Sequence, residues 1–353
     1  MTLARHLGAA VLAAAVLLIL SVKLSAYRDY QLTQIAAYVI AVAGLTVLIG
    51  LSGQISIGNG AFMAIGAYAG ALLLLHSGWP IALVLAASAG IAAAAGGVFG
   101  VAAARLRGPY LAGATLMLAV ALPSVAAKFP GALGGDQGLG FSVAVPGVLG
   151  AAFPLTRWLA WLACAATLIA LVLLANLARS RVGRSWRALR DDEVAASLAG
   201  LNVARLQILA FAVSAACAGL GGAVLAMWAA SASPGEFPLA LSIGLLTAAV
   251  LGGLGSLLGA LWGSLILVLA QVYLVNLGAS HGLPSGASAS VPIAAYGLVL
   301  IAVMLVFPAG IQGALRRLRG PAAAAVTRLS VLCRRAPASE HPEEGTTCRD
   351  HIG

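Results

Sequence analysis

The chain has 353 residues, of which 61% are hydrophobic and 8% are charged. Soluble domains carry about 25% charged residues, so this composition excludes a water-soluble globular protein. The net charge of +10 comes from arginines between apolar segments, which follows the positive-inside rule and excludes a nucleic-acid-binding face. We predict an all-α, polytopic bundle of transmembrane helices.

Ten apolar segments approach the length of about 20 residues that a spanning helix needs. Several are short or interrupted by glycine, so we expect eight to ten spans. Residues 1–24 are interpreted as a retained first helix, because a second apolar segment follows with no clear cleavage site. The segments are 7–24, 32–50, 61–75, 80–104, 110–128, 156–178, 206–230, 239–252, 257–277 and 293–312. Residues 1–315 then form the transmembrane domain, and 316–353 a basic tail that we predict to be cytoplasmic and disordered.

A glycine-rich stretch with three polar residues lies between the second and third segments. Gly53 and Gly58 flank Gln54 and Ser56, and Asn59 follows. Backbone without hydrogen bonds is costly at membrane depth and survives only where protein or a water-filled cavity satisfies it. The stretch is therefore either a broken or re-entrant segment along a translocation path, or a tight cytoplasmic turn whose Ser and Asn cap the next helix.

Two connecting segments differ from the rest. Residues 129–155 are rich in Gly and Pro and nearly uncharged, which predicts an external loop partly folded back on the bundle. Residues 179–205 form the only long charged segment between spans, with five arginines before Asp191, Asp192 and Glu193. Ala195, Ala196 and Gly200 follow, so this segment is either a solvated cytoplasmic loop or a short helix that docks on a partner.

The sequence offers no catalytic or metal-binding motif. Its two lysines, Lys23 and Lys128, fall outside any phosphate-binding loop. We therefore predict that the chain binds no metal or cofactor and is not an enzyme. Ionisable residues are nearly missing from the spans, which weakens an ion-coupled mechanism.

Five ordered blocks over roughly residues 30–315 resemble the permeases of branched-chain amino acid importers of the leucine/isoleucine/valine type. The blocks are GLSGQISIGNGAFMAIGAYAGALL, RLRGPYLAGATLMLA, LGGDQGLG, GRSWRALRDDEVAASLAGLNVARLQILAFAVSAACAGLGGAVLA and VLGGLGSLLGALWGSLIL. The chain departs from the family pattern at Asn59 and Gly60, where members carry His or Gln and then Ala. It departs again at Leu133, where members carry Thr before two glycines.

With ten spans, the distribution of arginine predicts that both termini are cytoplasmic. The resemblance implies a permease subunit of an ATP-binding-cassette importer in the bacterial plasma (inner) membrane. It would carry branched-chain amino acids by alternating access. The implied partners are two ABC ATPase subunits that use ATP and Mg, a sibling permease in a heterodimer, a periplasmic or lipid-anchored substrate-binding protein, and membrane lipid, with no nucleic acid.

The resemblance also implies two sets of site residues. The substrate pathway corresponds to Gly53, Gln54, Ser56, Gly58 and Asn59, and the cytoplasmic loop that couples to the ATPase corresponds to Arg187, Asp191, Asp192, Glu193, Ala196 and Gly200. Related permeases for urea, short amides or other amino acids share this framework. A secondary transporter or channel acting alone, or a membrane-bound enzyme, are further alternatives.

Overall fold

The fold is taken from a computed structural model, in which residues 26–106, 109–143, 154–280, 297, 301 and 310–313 are described. The predicted first span, nearly all of the predicted last span and the C-terminal tail lie outside these residues. Within them, the α-helices are α1 Ala26–Ser52, α2 Asn59–His76, α3 Ile81–Ala103, α4 Pro109–Lys128, α5 Pro130–Leu133, α6 Leu155–Arg179, α7 Arg181–Asp191, α8 Glu193–Leu198, α9 Val203–Ala229, α10 Leu239–Gly252 and α11 Leu257–Ser280.

The predicted all-α membrane fold is confirmed. In the described part of the chain, seven helical segments are long and apolar enough to cross a membrane, and α11 adds a shorter apolar one. Each of the eight predicted spans from 32–50 to 257–277 coincides with one of these eight helical segments. The chain is therefore a multi-pass membrane protein.

Small residues bring the central helices into close contact. Helix α9 lies against α1, α2 and α3, and an added Cβ at Gly66 of α2 would stand 2.2 Å from the Gly219 carbonyl oxygen of α9. A Cβ at Gly96 of α3 would stand 2.3 Å from Ala215 Cβ. Only small residues permit backbones to approach this closely. This close packing stabilises the bundle, because a leucine gains little from contacting another helix instead of equally apolar lipid tails.

The two ends of the bundle differ in character. At one end, which we call the hairpin end, strand β1 (Leu139–Gly140) pairs antiparallel with strand β2 (Ser231–Ala232). This pairing ties the glycine-rich 129–143 segment to the residues after α9, as the sequence predicted for a loop folded back on the bundle. The other end, the arginine end, carries Arg105, the helices α7 and α8, and Arg205.

Helix α1 runs from the hairpin end to the arginine end. Tyr30 in its first turns stacks on Trp228 near the end of α9, with ring centroids 4.4 Å apart. The Trp228 indole N–H also donates to the Tyr30 carbonyl at 2.8 Å. At the other end of α1, Arg190 of α7 donates to the Gly50 carbonyl.

Candidate functional site

The glycine-rich stretch after α1 turns back into the bundle. Helix α1 ends at Ser52 and α2 begins at Asn59, whose side-chain amide donates to the Ala41 carbonyl at 3.2 Å. Ala41 precedes Ser52 by eleven residues, or about 16 Å of helix. Residues 53–58 therefore re-enter the bundle, and α2 begins near the middle of α1.

The segment is thus re-entrant, and its position along a translocation path stays a prediction. The part of the alternative in which Ser and Asn cap the next helix is wrong. The residue that caps α2 is Gly58, and no side chain caps the helix. Asn59 lies inside the first turn of α2, where its amide bonds to other helices.

Side chains from three other helices hold the start of α2. Thr115 Oγ1 of α4 accepts from the Ile57 N–H at 3.0 Å, and Ser242 Oγ of α10 accepts from the Gly60 N–H at 3.1 Å. The Ser214 hydroxyl of α9 donates to Asn59 Oδ1 at 3.4 Å. Asn59, Thr115, Ser214 and Ser242 form what we call the central polar cluster. It satisfies backbone and side-chain groups that a helix break would otherwise leave unpaired in an apolar interior.

Two buried oxygens in the re-entrant segment have no hydrogen-bond partner among the residues that the structure describes. Gln54 Oε1 and Ser56 Oγ are unpaired, although the two residues are only 7% and 0% exposed. Leaving a buried polar group unpaired costs about 1–3 kcal/mol. Such groups call for an explanation, and one explanation is that they bind a small polar molecule at some stage of function.

The two predicted pathway glycines are required by their surroundings. Gly53 adopts φ +74°, and a Cβ there would stand 2.9 Å from Arg190 Cγ. A Cβ at Gly58 would stand 2.5 Å from the Thr115 carbonyl oxygen. Gln54, Ser56, Gly58 and Asn59 are therefore buried within the bundle, whereas Gly53 is exposed beside Arg190 at the arginine end.

The charged segment 179–205 folds as two short helices on the arginine end. Helix α7 buries Gly183, Trp186 and Leu189 on one face, and the Trp186 indole N–H donates to the Leu206 carbonyl of α9 at 2.9 Å. Asp192 caps α8 by accepting from the N–H groups of Val194 and Ala195 at 2.8 and 3.0 Å.

A glycine in the left-handed region ends α8. Gly200 has φ +83°, and the following Leu201 N–H donates to the Ala196 carbonyl at 3.1 Å. This is the Schellman arrangement of a helix C-terminus, in which glycine avoids the strain of a side chain. Gly200 thus has a local structural role within the predicted coupling loop.

The predicted coupling residues do not share one surface. Asp191 is exposed and stands 3.8 Å from Arg190, whereas Ala196 is packed inward at 4% exposure. The exposed Arg187 donates to the Ala178 and Gly183 carbonyls and so folds back on its own chain. Glu193 is half-buried at the start of α8.

Sequence reasoning did not identify two exposed apolar residues on α8. Val194 and Leu198 are 68% and 83% exposed, and their spacing of four residues places them on one face of the helix. An apolar pair at this spacing inside a charged segment is a signal that could have identified them.

Arg190 is a third residue that sequence reasoning missed. Its guanidinium Nη1 donates to the Gly50 carbonyl at 2.6 Å, across 140 residues of sequence. Gly50 carries one of the last carbonyls of α1, which have no partner within the helix, and Gly53 lies directly against the Arg190 side chain. Arg190 therefore joins α7 to the start of the re-entrant segment.

The charge distribution limits the chemistry of this site. The re-entrant segment and the central polar cluster carry amide, hydroxyl and backbone groups and no ionisable side chain. In the described residues, no group of three or more His, Cys, Asp or Glu side chains could hold a metal ion. The site offers hydrogen bonds to a small polar molecule.

Comparison with known proteins identifies the family. The model of the family described as "Branched-chain amino acid transport system / permease component" matches residues 27–308. The chain belongs to this family. The resemblance carried by the five sequence blocks is therefore confirmed, and the match includes both the re-entrant segment and the α7–α8 segment of the permease.

Curated relatives carry matching descriptions. The high-affinity branched-chain amino acid transport system permease protein LivM of Escherichia coli is 33% identical over 257 residues, 66% of this chain and 60% of that protein. LivM of Salmonella typhimurium is 32% identical over 68% of this chain and 61% of its own length. LivH of Escherichia coli is 37% identical over 134 residues, or 38% of this chain. The permease thus spans about three fifths of the LivM relatives, and no solved structure matches it.

Proposed function

We propose that this permease is the membrane-spanning subunit of an ATP-binding-cassette importer that carries branched-chain amino acids across the bacterial inner membrane by alternating access. The observation that supports this most directly is the Arg190–Gly50 hydrogen bond, because it joins the charged α7–α8 segment to the re-entrant segment. The descriptions of LivM and LivH, which name branched-chain amino acid transport, support the substrate class.

The arginine end faces the cytoplasm in this proposal, because arginine collects on that side of a membrane. Both chain termini would also be cytoplasmic. Helices α7 and α8 then project to the side where ATP is available. The exposed Val194 and Leu198 would contact one of two ABC ATPase subunits, and the exposed acid Asp191 would orient the contact.

Transport would follow from a small displacement of α7. ATP-driven closure of the ATPase subunits would move α7 and α8, and Arg190 would transmit the movement to the end of α1 and to residues 53–58. The unpaired oxygens of Gln54 and Ser56 would bind the solute as it passes. ATP can drive this cycle because it binds the two conformations of the partner subunits with different affinity, so ATP and Mg would be used in the partner chains.

The remaining proposed partners follow from the family. A sibling permease would complete the path in a heterodimer, and a periplasmic or lipid-anchored binding protein would deliver the amino acid to the hairpin end. Urea, short amides and other amino acids are alternative solutes on the same framework. A secondary transporter acting alone is disfavoured, because it would have no use for the exposed α7–α8 segment.

The experiment that tests this function is uptake of labelled leucine into liposomes containing the complete set of subunits. We expect uptake that requires ATP and that unlabelled leucine and valine inhibit, whereas urea and arginine do not. Uptake that persists without the ATPase subunits would contradict the importer and favour a lone carrier. ATP-dependent uptake that only urea or an amide inhibits would contradict the substrate assignment alone.

A further inference from the structure

A second candidate site lies at the hairpin end. An open surface cavity of about 590 Å³ lies between α4 and the residues that lead into α10. Most of the residues that line it are small or apolar, among them Ala119, Val120, Pro123 and Leu239. One charged side chain lines it, that of Asp136.

A compact glycine turn holds Asp136 over this cavity. Gly134 and Gly138 both have positive φ, and Cβ atoms at these positions would stand 2.0 Å from the Gly138 carbonyl oxygen and 2.3 Å from the Ala232 carbonyl oxygen. The β1–β2 pairing fixes the turn to the chain after α9. This packing explains the LGGDQGLG block, whose glycines permit the turn that carries Asp136.

The Asp136 carboxylate has no hydrogen-bond or ion-pair partner within the described part of the chain. The other acid nearby, Glu236, lies in the neighbouring turn Pro234–Glu236 and is not among the residues that line the cavity. Asp136, whose side chain is exposed, is therefore the one acid that lines this cavity among the described residues.

The cavity and the central polar cluster share the same two helices. Ala119 and Pro123 follow Thr115 by one and two turns of α4, so they lie on the same helix face. Leu239 precedes Ser242 by one turn of α10. Since Thr115 and Ser242 hold the start of α2, a molecule in the cavity lies one helical turn from the re-entrant segment.

We propose that this cavity is the outer substrate site of the permease and that Asp136 binds the α-ammonium group of the amino acid. The apolar wall of α4 and Leu239 would receive the aliphatic side chain. The proposal rests on the proposed function and sharpens it, because urea and short amides carry no cationic group for Asp136. The ligand class is a small aliphatic α-amino acid with a free ammonium group.

The test compares Asp136→Asn with Glu236→Gln in liposomes containing all subunits and saturating leucine-loaded binding protein. Losing a charge-assisted hydrogen bond should lower leucine uptake about tenfold or more in Asp136→Asn, whereas ATP hydrolysis stimulated by the binding protein is retained. Glu236→Gln, the matched loss of a neighbouring acid, should transport as wild type does, and Asp136→Glu should retain more uptake than Asp136→Asn.

Three results have different meanings. If the wild type takes up leucine and Asp136→Asn takes it up equally well, the proposed role of Asp136 is wrong and the proposed function stands. Loss of both uptake and stimulated ATP hydrolysis would overturn it too, because Asp136 would then be a contact for the binding protein. Absence of leucine uptake by the wild type would instead refute the proposed function.

A labelling experiment measures occupancy without relying on Asp136 variants. Ser124 lines the cavity, so a cysteine in Ser124→Cys should react with a small thiol reagent added from the hairpin end. Free leucine should slow this reaction, and 4-methylpentanoate, which lacks the ammonium group, should not. Equal rates with and without leucine would contradict the proposal.

Discussion

Gly60 shows how closely the re-entrant segment fits against α10. An added Cβ at this position would stand 2.4 Å from Ser242 Oγ, the same oxygen that accepts the Gly60 N–H at 3.1 Å. A Cβ at residue 60 and the Ser242 hydroxyl in its present position would therefore occupy the same space. Glycine at residue 60, which is one of the departures from the family pattern, therefore fits beside Ser242 without displacing its hydroxyl.

We predict that Gly60→Ala destabilises the permease by about 1–3 kcal/mol through overpacking. Ser242→Ala alone should cost about 1–3 kcal/mol, because it leaves the Gly60 N–H unpaired in the interior. The double variant should be more stable than Gly60→Ala alone, since removing the hydroxyl removes the clash and neighbouring sites are not additive. Thermal unfolding of the purified permease measures all three.

The control is Gly90→Ala in α3, where an added Cβ meets nothing within 4 Å. It should leave the unfolding temperature unchanged or raise it, because alanine is the better helix former. A double variant that is no more stable than Gly60→Ala would refute the proposed clash.

Among the elements, α7 links the exposed surface of the arginine end to the interior. Trp186 anchors it to α9, and Arg190 connects it to the end of α1. The guanidinium also places a positive charge at the C-terminus of α1, where the helix dipole favours a cation. A movement of α7 in contact with an ATPase would therefore change the position of the re-entrant segment.

We predict that Arg190→Gln lowers the amount of leucine transported per ATP hydrolysed. Glutamine is too short to donate a hydrogen bond to the Gly50 carbonyl, so transport falls. The outer face of α7 is unchanged, so ATP hydrolysis continues. The matched control is Arg184→Gln, which removes an exposed arginine of the same helix. Within the described residues, the Arg184 side chain bonds only to the Arg179 carbonyl, at 3.2 Å. The measurement is uptake and ATP hydrolysis in the same liposomes. An unchanged ratio in Arg190→Gln, or an equal loss in both variants, would contradict a transmitting role.

The helices themselves were predictable from sequence, but their mutual contacts were not. Apolar length located α1 and α9 because hydropathy is a local property, and the glycines from Gly50 to Gly60 marked the break. The tertiary contacts were not predictable, since the bond from Arg190 to Gly50 and that from Asn59 to Ala41 depend on how distant segments pack. The sequence indicated Arg190 only as part of a topological signal.

Burial within the α7–α8 segment could not be predicted either. The sequence favoured Ala196 as a docking residue because it is small, but the fold uses it to pack α8 inward and leaves Leu198 outside. Whether a short helix presents its small or its large residues depends on what lies beneath it, which composition does not reveal. The roles of the predicted coupling residues remain predictions.

At the scale of the whole molecule, we propose a path for the solute that is defined by a subset of the polar groups of the bundle. The path begins at the cavity beside Asp136, continues to Thr115 and Ser242, and ends with Gln54 and Ser56, near the Arg190 contact. The central claim of this account is that Ser56 lies on the route of the solute and becomes accessible from each side in turn.

The most direct test places a cysteine at residue 56 and measures its reaction with a membrane-impermeant thiol reagent. In a chain whose four native cysteines are replaced by alanine, Ser56→Cys should be labelled from one side of the membrane without nucleotide and from the other side when ATP is trapped in the ATPase subunits. Ala67→Cys, at an equally buried position of α2, should remain unlabelled in both states. Labelling of residue 56 that does not differ between the two states, or its complete protection in both, would contradict the account.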